Sequence, residues 1–305
     1  MITMTRRELL IGLAAASARA GERRRVAITM DDVNWRSIPE PYSKDANTRL
    51  LRALSDHGAK AALFVVGGNV DNPTGHDIVQ SWSDAGHLIG NHTWSHKMYG
   101  SKGVTAEFFE KDLLRCQDLL QGFDQFRKFF RFPALKEGNT AEERDRMRAF
   151  LTEHGYRNGH VTIDASDWYY DSRLRERLAK DPGFDAMRFR QPYLDHIWNR
   201  ASYYDGLGIR VLGRSVPHTL LIHYNLLNTL FLSDLLDMFR SKGWDVVDAV
   251  QVFKDPVFSR APRTVPAGES LIWALAKEDG RFVNELRYPG ESDEYEKPVL
   301  DRLGL

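Results

Sequence analysis

Cysteine is almost absent: Cys116 is the single one among 305 residues, so the chain can form no internal disulfide. It sits in what reads as an amphipathic helix, as a buried small hydrophobe rather than a nucleophile. An excess of either charge is missing too, with 42 Lys plus Arg against 42 Asp plus Glu. That balance gives no reason to expect nucleic acid or an anionic membrane as partner, and it suits a neutral or weakly charged substrate. Internal repeats and low-complexity tracts are lacking. So is a stable membrane span, because the apolar run Leu9 to Ala16 is too short for one.

What is present begins with an amino terminus that looks like an export signal over residues 1–20. Arg6 and Arg7 precede the apolar run, and Ala-x-Ala patterns follow it at Ala16-Ser17-Ala18 and Ala18-Arg19-Ala20. Thr5-Arg6-Arg7-Glu8-Leu9-Leu10 resembles a twin-arginine signal, which would carry the protein, already folded, to a periplasmic or extracellular location.

Beyond residue 24 the patterning alternates strand and helix. Arg25 to Asp32 reads as a buried strand ending in Asp31-Asp32. Asn47 to His57 is expected as a helix, Ala61 to Val66 as a strand, Ile78 to Ala85 as a helix, and His87 to Gly90 as a short strand delivering His92 and His96. Thr105 to Leu120 reads as a long amphipathic helix, Phe129 to Phe132 as a strand cut off by Pro133, and Thr140 to Glu143 as a capping box opening a helix that Gly155 ends. Val161 to Ile163 is expected as a strand and 173–208 as mostly helix, broken at Pro182-Gly183 and near Pro192. Thr219 to His223, the helix Leu227 to Arg240 and a last strand Asp245 to Val247 complete the series. Such alternation predicts a parallel sheet closed or nearly closed into a barrel over 25–253, with 254–305 as a C-terminal extension packing on it.

Every polar candidate falls at the carboxyl end of an expected strand, the end where barrel enzymes build their sites. His92 and His96, four residues apart, can share one metal ion if an oxygen ligand is supplied elsewhere. Taken together, Thr29-Met30-Asp31-Asp32, His92-Thr93-Trp94-Ser95-His96, Arg131-Phe132-Pro133, Asp164 to Trp168 and Leu221-Ile222-His223 resemble the ordered motifs of the polysaccharide deacetylase family, the NodB-homology or carbohydrate esterase family 4 domain.

That resemblance implies an α/β fold, a distorted (β/α) barrel of about seven parallel strands, hydrolysing acetyl groups of an acetylated glycan. It also implies one divalent metal, most often zinc, with cobalt, manganese or nickel as substitutes. Carried over residue by residue, it makes Asp32, His92 and His96 the metal ligands and Asp31 the catalytic base, with Arg131 pairing that base. His223 becomes the general acid, oriented by Asp167, with Asp164 a second candidate for that partner. The backbone N–H after Pro133, at Ala134, would help hold an oxyanion, and Trp168 would wall the groove. Trp94 and Trp35, nearest in sequence to the ligands, are expected to contact substrate. Two positions depart from the family: Ala134 stands where Tyr is usual, and Val33 where Gly often follows the Asp pair. Both point to altered substrate fit.

An O-acetyl polysaccharide esterase is the nearest chemical alternative, since ester cleavage needs His223 less. A catalytically silent glycan-binding module is the alternative from another class; a base, its arginine and an acid alongside the ligands speak against it. His87, His160, His196 and His218 belong to no motif and are read as structural, and the aromatics Tyr169, Tyr170, Tyr193, Trp198, Tyr203 and Tyr204 as core.

Overall fold

A computed structural model describes residues 23–287 and 294–305, so the export signal expected at 1–20 lies outside the described residues. In chain order the principal elements are β1 (Arg25–Asp32), α1 (Ala46–Asp56), β2 (Ala62–Val65), α2 (Pro73–Asp84), β3 (Leu88–Asn91), α3 (Ala106–Leu120), β4 (Phe126–Phe130) and β5 (Lys136–Gly138). Then follow α4 (Ala141–Glu153), β6 (Arg157–Asn158), α5 (Asp167–Lys180), α6 (Arg190–Leu212), β7 (His218–His223), α7 (Leu226–Ser241) and β8 (Asp245–Val246). The extension carries β9 (Ala267–Gly268), α8 (Leu271–Asp279) and α9 (Lys297–Arg302).

Seven strands make one parallel sheet, ordered β6-β4-β3-β2-β1-β7, with β8 also pairing β1. Val26 to Met30 are buried throughout, as expected of a strand covered on both faces by helices. Helix starts follow capping chemistry. Thr105, Thr140 and Asn225 each accept a hydrogen bond from a first-turn N–H. The capping box is completed one residue early: Glu143 Oε2 takes the N–H of Asn139 rather than that of Thr140.

The strand expected at Val161 to Ile163 does not form. Only Ile163 bridges to Leu220 of β7. Thr219 N–H donates to the Thr162 hydroxyl at 2.8 Å, so a side chain occupies a ladder position and the pairing stops. The sheet therefore curls into a half-barrel open between β6 and β7. The helical stretch expected from Arg173 instead begins at Asp167, and Pro192 lies in the first turn of α6, where its missing N–H costs nothing.

The extension lies against this frame. β9 runs antiparallel to β5, and a Cβ on Gly268, at φ +119°, would stand 1.8 Å from the carbonyl oxygen of Leu135. Only glycine allows that approach. Among the described residues no helix is long and apolar enough to cross a membrane.

Candidate active site

Parallel register gathers the polar residues at one end of the sheet. Asp31 faces His223 across β1 and β7, Asp32 faces Val65 across β1 and β2, and Val65 faces Asn91, the residue before His92. The loops leaving these strands are strained. Asp32, Val33, Thr93, His96, Ala134, Leu135 and Glu269 are the non-glycine residues with positive φ among those described, and five of them line a single pocket with the other two beside its residues. Strain of this kind persists only where the surroundings over-determine it. Val33, at φ 52°, carries a β-branched side chain in the left-handed region, a position glycine would occupy more easily.

The pocket, about 510 Å³, is lined by Asp31, Asp32, His92, His96, Ala134, Asp164, Trp168 and His223, among others. One donor atom each from Asp32, His92 and His96 lies within 4.8 Å of the others. Asp32 Oδ1 is 3.2 Å from His96 Nε2 and 3.5 Å from His92 Nε2, and this buried oxygen has no hydrogen-bond partner. His92 Nδ1 donates to the carbonyl of Arg131 at 2.8 Å, which turns Nε2 toward the carboxylate. Burial pushes the Asp32 carboxyl up, but contact with His92 and the charges of His223 and His96 more than reverse this and hold it below the usual carboxylate range. Burial, with His92 beside it, pushes His96 down and favours the neutral ring. An orphaned buried carboxylate oxygen facing two imidazole nitrogens fits a divalent cation, and the open side of the set leaves coordination positions for water and substrate.

Asp31, 2% exposed, accepts from Arg131 Nη1 at 2.8 Å through Oδ1, while Oδ2 lies 3.6 Å from His92 Nε2. Arg131 is itself fixed: it donates to Thr29 Oγ1 and to the Gly159 carbonyl, each at 2.9 Å, and its guanidinium lies 4.1 Å from the centre of the Phe64 ring. Gly90 and Gly159 make room for that ring, since a Cβ on either would approach it within 2.7 Å. Buried ion pairs of this kind need such support, because removing one partner strands the other charge.

On the opposite side, His223 Nδ1 bonds Asp167 Oδ1 at 2.7 Å. Asp167 Oδ2 accepts from His223 N, Asn225 Nδ2 and Asn228 Nδ2 at 2.8, 3.0 and 2.8 Å. Burial pushes the imidazole down, but the Asp167 carboxylate, its hydrogen bond and the charges of Asp32 and Asp31 outweigh this and raise it to about 10. Nε2 is left for the pocket.

The carboxylate at His223 is thus that of Asp167; Asp164 lies in the pocket wall, where its charge acts on Arg131. Arg131 and Asp167 stand behind Asp31 and His223 rather than in the lining. Ala134 lines the pocket at φ 50°, while Pro133 stands outside it. Trp168, 40% exposed, does form a wall. Trp94 and Trp35 are not brought there. Trp94 packs on Gly67 and Gly68 with Arg115 3.6 Å from its ring centre, and Trp35 sits in a single turn against Arg36. Sequence reasoning missed Asn225 and Asn228, which bind Asp167; Asn225 carried a helix-cap signal and nothing more. It also missed Lys136 and Glu269, which pair with each other across the rim. No local pattern announces that pair, because it depends on the extension folding back.

Fold and pocket together define an α/β half-barrel with an Asp-His-His cluster at the carboxyl ends of its strands. Residues 18–159 match the family model described as polysaccharide deacetylase. A peptidoglycan-N-acetylglucosamine deacetylase of Bacillus cereus is 30% identical over 156 residues, which is 50% of this chain and 50% of the relative. The chain therefore spans about half the length of the curated relatives it matches. Among solved structures, a peptidoglycan N-acetylglucosamine deacetylase superposes with TM-score 0.51 at 21% identity, covering 76% of this chain and 89% of that one. A carbohydrate esterase family 4 pseudoenzyme from Bacillus anthracis gives 0.51 at 15% identity, over 76% and 66% of the two chains. At these identities the likeness concerns the fold. The motifs around Asp164 to Trp168 and at His223 lie beyond the matched span.

Proposed function

We propose that this protein is a metal-dependent hydrolase that removes acetyl groups from N-acetylated sugars of a polysaccharide or cell-wall glycan, releasing acetate and a free amine. The observation that carries the reading is the meeting, in one pocket, of the orphaned Asp32 oxygen and two imidazoles with an Arg-paired carboxylate on one side and a carboxylate-paired histidine on the other. A binding module needs neither of the last two. Asp32, His92 and His96 would hold the ion, zinc being the first choice for an N2O donor set. When bound it supplies Lewis acidity toward the acetyl carbonyl and the attacking water.

The remaining chemistry belongs to side chains. Asp31 accepts the water proton at Oδ2, since Oδ1 is committed to Arg131. The Ala134 N–H is our candidate for the oxyanion donor, presented by the left-handed turn after Pro133. His223 delivers a proton from Nε2 to the leaving amine, Asp167 keeping Nδ1 occupied and the ring charged. Trp168 offers an exposed ring face for a sugar. Export to the periplasm or exterior, directed by residues 1–20, would bring such an enzyme to its glycan.

The test is release of amine and acetate from N-acetylglucosamine oligomers, peptidoglycan and acetylated xylan, with chelation and zinc add-back. Chelator-sensitive amine release is expected, and Asp31→Asn should abolish it while sparing metal content. Acetate without amine would instead establish the O-acetyl esterase, and no release from metal-loaded protein would sink the hydrolase reading.

A further inference from the structure

The segment 161–166, which carries Asp164 and leads into Asp167, pairs with β7 only around Ile163, and the C-terminal extension supplies further partners. Ser270 Oγ donates to the carbonyl of Thr162 at 2.9 Å, and the N–H of Leu271 to that of Val161 at 2.7 Å. Further along, the N–H of Ser166, the residue before Asp167, donates to His196 Nε2 at 2.9 Å. That bond makes Nε2 an acceptor, so the neutral ring carries its proton on Nδ1, which faces Glu296 Oε2 at 3.2 Å. Arg287 Nη2 holds the other oxygen of Glu296 at 2.9 Å. The His196 and Glu296 side chains are each 4% exposed, and Ser166 is fully buried.

We propose that His196 and Glu296 are positioning residues for the Asp167–His223 pair, so that the extension fixes the general acid from behind; the proposal rests on the deacetylase reading above. Asp167 opens α5, and the N–H of Ser166, the residue just before it, is held by His196. With that anchor loose, the first turn of α5 can shift against β7 and Asp167 no longer aligns the imidazole. A displacement of about 1 Å at a reacting group costs on the order of 100-fold in rate. Ester cleavage, whose leaving group needs a proton less, is buffered against such a shift.

The experiment compares full-length wild type with His196→Ala, His196→Gln and Glu296→Gln on an N-acetyl and an O-acetyl substrate of the same sugar. It also follows the low-field proton resonance of the His223 Nδ1–H···Asp167 bond, which needs no turnover. His196→Ala should lower kcat for the amide about 10- to 100-fold with KM and metal content unchanged, while ester cleavage falls less than about threefold. It should also weaken the low-field resonance. Glutamine can accept the Ser166 N–H and should restore most of both signals, a rescue that a loss of packing would not produce. Equal losses on amide and ester with the resonance intact would overturn the proposal. If His196→Ala fails to fold, Glu296→Gln decides: an amide-to-ester ratio and a resonance both equal to wild type would overturn it as well. Wild type lacking amide cleavage would defeat the deacetylase reading alone, and the resonance would still judge the positioning role.

Discussion

His223 and Asp167 are the residues on which amide cleavage turns in the proposed mechanism, and their pairing sets a pH dependence. A general acid works while protonated, so the rate falls as pH rises through its pKa. Burial depresses the imidazole, but Asp167 and the carboxylates of Asp32 and Asp31 raise it to about 10, so wild type should hold its activity well into the alkaline range. Asp167→Asn removes the largest upward influence and leaves burial to act. The alkaline limb of the kcat profile for the amide should then move down by more than about one pH unit, toward the ordinary imidazole value. A pH–rate series on both proteins checks this, and an unmoved limb would assign the acid elsewhere. At this scale the motifs named residues that the fold brings together: Asp31, Asp32, His92, His96 and His223 line one pocket, with Arg131 and Asp167 bonded behind Asp31 and His223. Asn225 and Asn228 were not named, because an asparagine capping a helix and an asparagine binding a carboxylate look alike in a sequence.

Loops after strands hold the pocket in shape, and the contact of β5 with β9 ties the 133–136 turn to the extension. Leu135 O accepts the N–H of Glu269 at 3.0 Å, and Glu269 pairs with Lys136 at the rim. Gly268→Ala would force a methyl group to 1.8 Å from Leu135 O at a φ of +119°. We expect destabilisation on the order of 1–3 kcal/mol, the range of a strained backbone position, measurable as a lower urea midpoint, together with a raised KM as the rim shifts. An unchanged midpoint and KM would mean that the extension is not coupled to the pocket wall. The elements show where patterning succeeds and fails. β1 was readable because a strand buried on both faces is a continuous apolar run. Val161 to Ile163 has the same composition, yet Thr162 and Thr219 divert its hydrogen bonds through their hydroxyls, a competition that no one-dimensional pattern records.

For the whole molecule, occupation of the Asp32, His92 and His96 cluster should stabilise the fold, since an ion that binds only the folded chain shifts unfolding by mass action. At free zinc about 100-fold above Kd the gain is about 2.7 kcal/mol, a rise of several degrees in Tm. Thermal melts with chelator and with zinc added back should differ by that margin in wild type and scarcely in His96→Ala. Coincident wild-type melts would remove the metal from the proposed mechanism. Metal affinity and turnover are separate quantities, and each needs its own measurement.

By itself the sequence determined the parallel α/β frame, the places of β1, β2, β3, β7 and β8 along the chain, and which motif residues lie at their carboxyl ends. Burial periodicity and short-range motif spacing are properties of neighbouring residues, and the backbone geometry of a parallel sheet then carries those residues to one edge. Tertiary structure alone decided that the sheet stays open beside β7, that Trp94 and Trp35 turn away from the pocket, and that Glu269, His196 and Glu296 converge on segments far from them in sequence. Those outcomes rest on hydrogen bonds and close approaches between residues tens to more than one hundred positions apart, and contacts of that range leave no period to read.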